Sequence, residues 1–254
     1  MWLALANPAV AHDTWLQGPR LPIASGSSVL FELTSGDAFP ALDHAVAPGR
    51  IEREGLRVAG MTRRFEGRSR GPKALRLLAP LAVEGVAVAF VSLKPRTLEL
   101  KPAEVEEYLA EIGERERLLP EWERGRKRWR EVYRKHAKTF LRVGQAPGDP
   151  AAWREPVGLA LEIVPEQDPT LVRPGESLTV VVLESGRPMP GFALASSDGR
   201  ERRLQRTDAA GRASVQLDSP GRWLLAGTYI RKAGGPDAPW QSDFTTLTLQ
   251  VGSR

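Results

Sequence analysis

Cysteine is absent from the 254 residues, and histidine occurs only at His12, His44 and His136. Without thiols the chain can form no disulfide, no thiolate metal site and no cysteine nucleophile. It contains no Gly-x-Ser-x-Gly turn for a serine hydrolase, no phosphate-cradling glycine-rich loop and no His-Glu-x-x-His pair. No apolar run reaches the roughly 20 residues that a helix needs to span a bilayer.

What is present has the balance of a folded protein, with 41% hydrophobic and 26% charged residues. The length suffices for two domains of ordinary size, each with its own core. The 24 Gly and 21 Pro are scattered as short punctuation, which favours many short strands and turns over long helices. A net charge of +5 raises nucleic acid or an anionic surface as partners. Basic residues cluster at Arg63, Arg64, Arg68, Arg70, Lys73 and Arg76, and again between Arg124 and Lys135. The second cluster alternates with Glu121, Glu123 and Glu131, as on a solvated helix face with local ion pairs. No nucleic-acid motif accompanies either cluster, so the charge reads as a surface property and nucleic acid is not expected as a partner.

Residues 1–11 carry no charge and end in Ala9-Val10-Ala11, the small-x-small pattern cut by signal peptidase. Cleavage there predicts an exported protein, periplasmic or secreted, beginning at His12, with a soluble mature chain. A retained apolar first strand is the alternative. From Ser28 to Lys94 the chain reads as short strands. Ser28–Thr34 and Glu84–Lys94 are the clearest, and Arg50–Val58 with Met61–Arg68 flank Ala59-Gly60 like a hairpin. Pro102 then opens a helical insert over 102–136. Val105, Tyr108, Leu109 and Ile112 fall on one stripe, and Trp122, Trp129, Val132, Tyr133 and His136 are read as the apolar stripe of a second helix. Thr139–Val143 returns as a strand.

Residues 146–157 read as a linker between an N-terminal β domain (12–145) and a C-terminal sandwich (158–252). In the latter, candidate strands at Gly158–Val164, Ser177–Glu184, Phe192–Ser196, Arg202–Arg206, Ala213–Leu217, Trp223–Ile230 and Phe244–Val251 alternate with Gly- and Pro-bearing turns. The expected fold is therefore mainly β: two β-sandwich-like domains, the first with a two-helix insert, the second immunoglobulin- or prealbumin-like. Trp223 reads as core filling within it.

Imidazole is the only strong borderline metal ligand available to this composition. Processing after Ala11 would let His12 chelate through both its α-amino group and its ring, at a pKa of about 7.7–8.0 for the amine. The cut could equally fall there by accident. His44, in the loop with Asp37 and Asp43, could turn toward such a site, with the carboxylates as oxygen ligands or as acceptors behind the imidazoles. A solvated turn is its other reading. His136 shares the inward stripe of the expected helix, where a cation near a helix C-terminus is the competing role.

The segments Ala11–Leu16 (AHDTWL), Tyr133–Gly144 (YRKHAKTFLRVG), Leu161–Pro165 (LEIVP), Leu171–Val180 (LVRPGESLTV), Thr207–Ala213 (TDAAGRA), and Trp240 followed by Phe244–Leu249 (FTTLTL), occur in an order and spacing that together resemble the NikM-like periplasmic family of nickel- or cobalt-uptake accessory proteins. The likeness runs through nearly the whole chain after His12. It implies an exported protein of two β domains tied to transition-metal uptake, with a His at the processed N-terminus, and a membrane transporter component as partner. The leading expectation is a metal-binding protein. His12, His44 and His136 would hold nickel, cobalt, copper or zinc, with Asp37 or Asp43 as an oxygen ligand. Two alternatives stand beside it: an envelope β-sandwich that docks partners without metal, and a copper-dependent oxidative enzyme using an N-terminal His.

Overall fold

The computed structural model describes residues 12–19, 23–124, 128–146, 149–233 and 239–252. The expected leader, residues 1–11, lies outside them. Along the first half run β1 (Asp13–Gln17), β2 (Ser27–Gly36), β3 (His44–Ala45), β4 (Ile51–Val58), β5 (Met61–Arg63), β6 (Gly67–Arg70), β7 (Leu75–Leu81), β8 (Gly85–Leu93) and β9 (Arg96–Leu100). Two helices follow, α1 (Pro102–Glu111) and α2 (Arg115–Glu123), then the long strand β10 (Trp129–Val143) and the single turn α3 (Ala151–Arg154). The second half holds β11 (Leu161–Pro165), β12 (Glu176–Glu184), β13 (Arg187–Pro188), β14 (Ala193–Ser197), β15 (Arg202–Arg206), β16 (Arg212–Leu217), β17 (Gly221–Lys232) and β18 (Trp240–Val251).

The protein is mainly β, as its scattered turn residues imply. Ala59 and Gly60 both take positive φ (48° and 74°), the geometry that a two-residue hairpin between β4 and β5 demands. The described residues form three sheets. One orders β1-β2-β7-β6, with β3 on β2. The largest orders β15-β14-β17-β18-β10-β8-β4-β5, with β9 beside β10, and the last carries β11-β12-β13 with β16. The second half is a two-layer sandwich of immunoglobulin-like kind, in which β11, β12 and β16 cover β14, β17 and β18. Their inward residues, among them Leu178, Val180, Val215, Leu194, Leu225 and Leu247, share one core with Trp223.

The large sheet crosses from one half of the chain to the other. β10 pairs in parallel with β18 from Glu131↔Trp240 to Thr139↔Thr248, and antiparallel with β8 and β9. Val86, Val88 and Phe90 of β8 and Phe140 of β10 thereby enter the sandwich core. The segment expected as a linker includes α3, whose Trp153 is buried in that same core. The opposite face of β8 and β10 packs Ala87, Ala89, Val91 and Leu141 against Phe31, Leu33, Leu75 and Leu77 of the first sheet.

One sequence expectation is overturned. The insert is helical only to Glu123, and Trp129, Val132, Tyr133 and His136 stand on a strand rather than on a second helix. Their spacing matches a helical stripe, but the segment is rich in β-branched and aromatic residues and gains hydrogen-bonded neighbours on both edges. Long-range pairing outweighs local periodicity here. Glu131, taken with the solvated charges, is consequently fully buried.

Candidate binding site

The end of β2 sets the geometry. β1 pairs along one edge of β2, with Asp13 opposite Gly36, and β3 along the other, with His44 opposite Ser35. His12 and His44 therefore approach each other across the strand end, their rings 6.0 Å apart and nearly parallel at 18°. A Cβ at Gly36 would lie 2.7 Å from that of Asp43, so the glycine lets Asp43 close in. His12 Nδ1–H donates to Asp37 Oδ1 at 2.5 Å, and His44 Nδ1 lies 3.1 Å from Asp43 Oδ2 as an ion-pair contact. Because an ionised carboxylate only accepts, the hydrogen bond to Asp37 places a proton on Nδ1 of His12. The two imidazoles are 36% and 69% exposed, enough for a solute to reach them.

Lys135 ties this end to the large sheet by donating to the main-chain oxygen of His12. Burial brings the Lys135 ammonium down to a pKa of about 8, against the opposing pull of Asp13 and Asp37. Below it, Thr246 donates to the carbonyl of Thr14 at 2.7 Å, so β1 rests on β18.

His136 does not join the others. Strand alternation turns it to the face of β10 opposite Lys135. There it is buried and donates through Nε2 to Asp243 at 3.1 Å, while Arg231 donates to the other oxygen of that carboxylate at 2.9 Å. Burial alone would raise the Asp243 carboxyl, but these two donors bring it below its ordinary value. This triad clamps β10, β17 and β18 together. The expected set of five residues thus divides: His12, His44, Asp37 and Asp43 converge, and His136 belongs to the sheet. Among the described residues no three His, Asp or Glu side chains lie close enough together to hold a metal ion.

Lys135 was missed as a site residue because the expected helix placed it on a solvated face. Read as a strand, the alternation of Tyr133, Lys135 and Ala137 would have put it beside β1.

The sequence pattern of the family described as "Domain of unknown function (DUF4198)" matches residues 9–231, most of the chain. The chain belongs to this family. Membership in DUF4198 carries no activity with it, so the nickel or cobalt role implied by resemblance is not established by it. No curated protein matches the chain. Among solved structures, the D0-D1 domain of intimin is 11% identical, covering 94% of this chain and 97% of its own at a TM-score of 0.25. FdeC, an Escherichia coli adhesin, is 14% identical over 95% of this chain and 64% of its own, with a TM-score of 0.24. The Ca2+-stabilized adhesin of an ice-binding Antarctic bacterium is 10% identical over 95% of this chain, which spans about half (49%) of that structure, at 0.26. Likenesses this distant carry nothing about ligand or activity. No helix among the described residues is long and apolar enough to cross a membrane.

Proposed function

We propose that this DUF4198 protein is an exported binding protein that holds a transition-metal ion between His12 and His44. The observation that carries the reading is the approach of these two rings to 6.0 Å at one exposed strand end, each braced by its own carboxylate. Processing after Ala11 frees the α-amino group of His12, which chelates together with Nδ1 of the same residue. Asp37, which accepts from His12 Nδ1, would supply an oxygen as a further ligand. His44 contributes Nε2, oriented by Asp43 through Nδ1. Amine, two imidazoles and a carboxylate suit copper, nickel, cobalt or zinc, and intrinsic affinity ranks copper first in vitro. His136 and Asp243 take no part.

The absence of a ready-made group of three ligand side chains among the described residues favours a second reading, an envelope β-sandwich that docks partners without metal. Calorimetric titration with each ion separates the two. Protein beginning at His12 should bind tightly, one extra N-terminal residue should abolish tight binding, and His44→Ala should weaken it. The site donates nitrogen, so binding should also weaken as pH falls and the ligands protonate. If the extra residue makes no difference, or no ion binds better than millimolar, the metal reading fails and the docking reading takes its place.

A further inference from the structure

Beside the histidine pair lies a cavity of about 270 Å³ lined by Arg50, Arg70, Arg96, Lys135, Tyr133 and His44, with the hydroxyls of Thr14 and Ser35 in its wall. Its lining comes from β1, β2, β3, β6, β8, β9, β10 and the turn ending at Arg50, segments remote in sequence. Four permanent or near-permanent cations face it, and no carboxylate among the described residues lines it. That is unusual in this molecule, where Arg68, Arg115, Arg117, Arg142, Arg202 and Arg212 each rest on an acidic partner. Arg50, Arg70 and Arg96 have no acidic partner among the described residues. Arg50 goes further: its Nε and Nη1 are shielded from solvent and have no acceptor among the described residues. A guanidinium shielded from water without an acceptor is left in an unfavourable state, because the desolvation of its donors is not repaid.

We infer that this cavity binds a compact oxyanion of two or more negative charges, a small polycarboxylate or a phosphate. The chemistry matches in three respects. Guanidinium forks pair bidentately with carboxylate and phosphate oxygens. The Thr14 and Ser35 hydroxyls, 2.7 Å apart, leave one proton of the pair free to donate into the cavity. Tyr133, which receives a hydrogen bond from Arg96, offers its own hydroxyl proton. The volume lies just below the usual range for organic-ligand clefts, about 300–1,000 Å³, so the occupant is small. His44 borders both this cavity and the proposed metal site, but the anion site uses neither the terminal amine nor His12.

The test uses metal-stripped full-length protein with an extra residue ahead of His12, so that no terminal chelate can form and failure of the metal reading leaves the result intact. Citrate, inorganic phosphate and acetate are titrated calorimetrically, with thermal melting alongside. Citrate or phosphate should bind and raise the melting temperature, acetate should bind far more weakly, and the stronger of the first two identifies the class. Arg50→Gln and Arg96→Gln should each weaken binding by about tenfold or more. Arg70→Gln, on an exposed strand, should weaken it too without any loss of fold. Arg187→Gln, on exposed β13, is the control for general charge. The inference is overturned if neither citrate nor phosphate binds, or if Arg187→Gln weakens binding as much as the three cavity variants.

Discussion

Glu131 shows how much one residue's surroundings decide in this protein. Its carboxylate is buried, yet it accepts from Tyr108 at 3.1 Å, from the Trp129 indole at 2.8 Å and from Ser242. The Tyr108 and Trp129 rings meet edge to face, and Trp129 stacks on Trp240 at 4.7 Å, so the polar network sits inside an aromatic shell. Burial raises the Glu131 carboxyl above its ordinary value of 4.5, against the opposing effect of its three donors. Glu131→Leu strands all three and should cost about 3 kcal/mol or more, read as a lowered urea midpoint. Glu131→Gln keeps one acceptor and should cost less. The raised folded-state value also fixes a sign: the group's contribution is full below the unfolded carboxylate range and is lost as pH rises through the folded value. Wild type should therefore gain on Glu131→Gln as pH falls toward 4.5, and parallel stability curves would refute the buried charge. Rarity singled out the candidate residues: with no cysteine and three histidines, the three rings and the acids Asp37 and Asp43 were the natural choice, and the structure brings His12 and His44 to one strand end. His136 was misplaced because its spacing from Trp129 and Val132 fits a helix as well as a strand, and only its pairing to Thr245 settles which face it takes.

At the scale of elements, turns were the most readable feature. Gly175, Gly199, Gly211 and Gly221, all in the expected turns, take positive φ. At Gly199 a Cβ would also stand 2.5 Å from the carbonyl oxygen of Phe39, so that turn requires glycine twice over. Strand positions in the sandwich followed, since each lies between two such turns. β10 followed only in part: Thr139–Val143 was expected as a strand, whereas the apolar spacing of Trp129, Val132, Tyr133 and His136 fits a helix as well. Gly227 was equally silent in the sequence. In the middle of β17, its missing side chain admits Phe192: an added Cβ would fall 2.4 Å from the ring and 2.7 Å from the Ala193 oxygen. The ring can turn aside, but the carbonyl is held in the β14–β15 ladder, where Ala193 pairs with Arg206. Gly227→Ala should lose about 1–3 kcal/mol by overpacking. Gly252→Ala, with nothing within 4 Å, should leave the denaturation midpoint in place. Equal midpoints for the two variants would mean that β14 and β17 separate more easily than their packing implies.

At the scale of the whole molecule, the two halves expected from the sequence share a sheet, a core and a buried ion pair. Lys138 of β10 donates to Glu162 of β11 at 2.7 Å with both side chains almost wholly buried, and Glu162 also accepts from the main chain of Val157, Gly158 and Leu159. Arg53 and Arg57 of β4 donate to carbonyls at 155–158. Cutting the chain between the halves would bare the β10 edge that β18 covers, expose Val86, Val88, Phe90 and Phe140, and leave Lys138 without its acid. Removing one partner of a buried pair alone is worth about 3–5 kcal/mol, a large share of the roughly 5–15 kcal/mol that stabilises a typical domain. The chain should accordingly melt as one unit, with calorimetric and van't Hoff enthalpies equal. Residues 12–145 and 158–252 expressed apart should each lack cooperative unfolding. Two resolved transitions, or a C-terminal fragment that melts as it does in the intact protein, would restore the picture of two independent domains and reduce the shared sheet to a docking contact. In that event β10, the strand carrying Lys135 beneath the histidine pair, would be free to shift with its half, and binding at His12 and His44 should then leave the C-terminal transition unmoved. In a single unit the same ligand raises the one transition that both halves share.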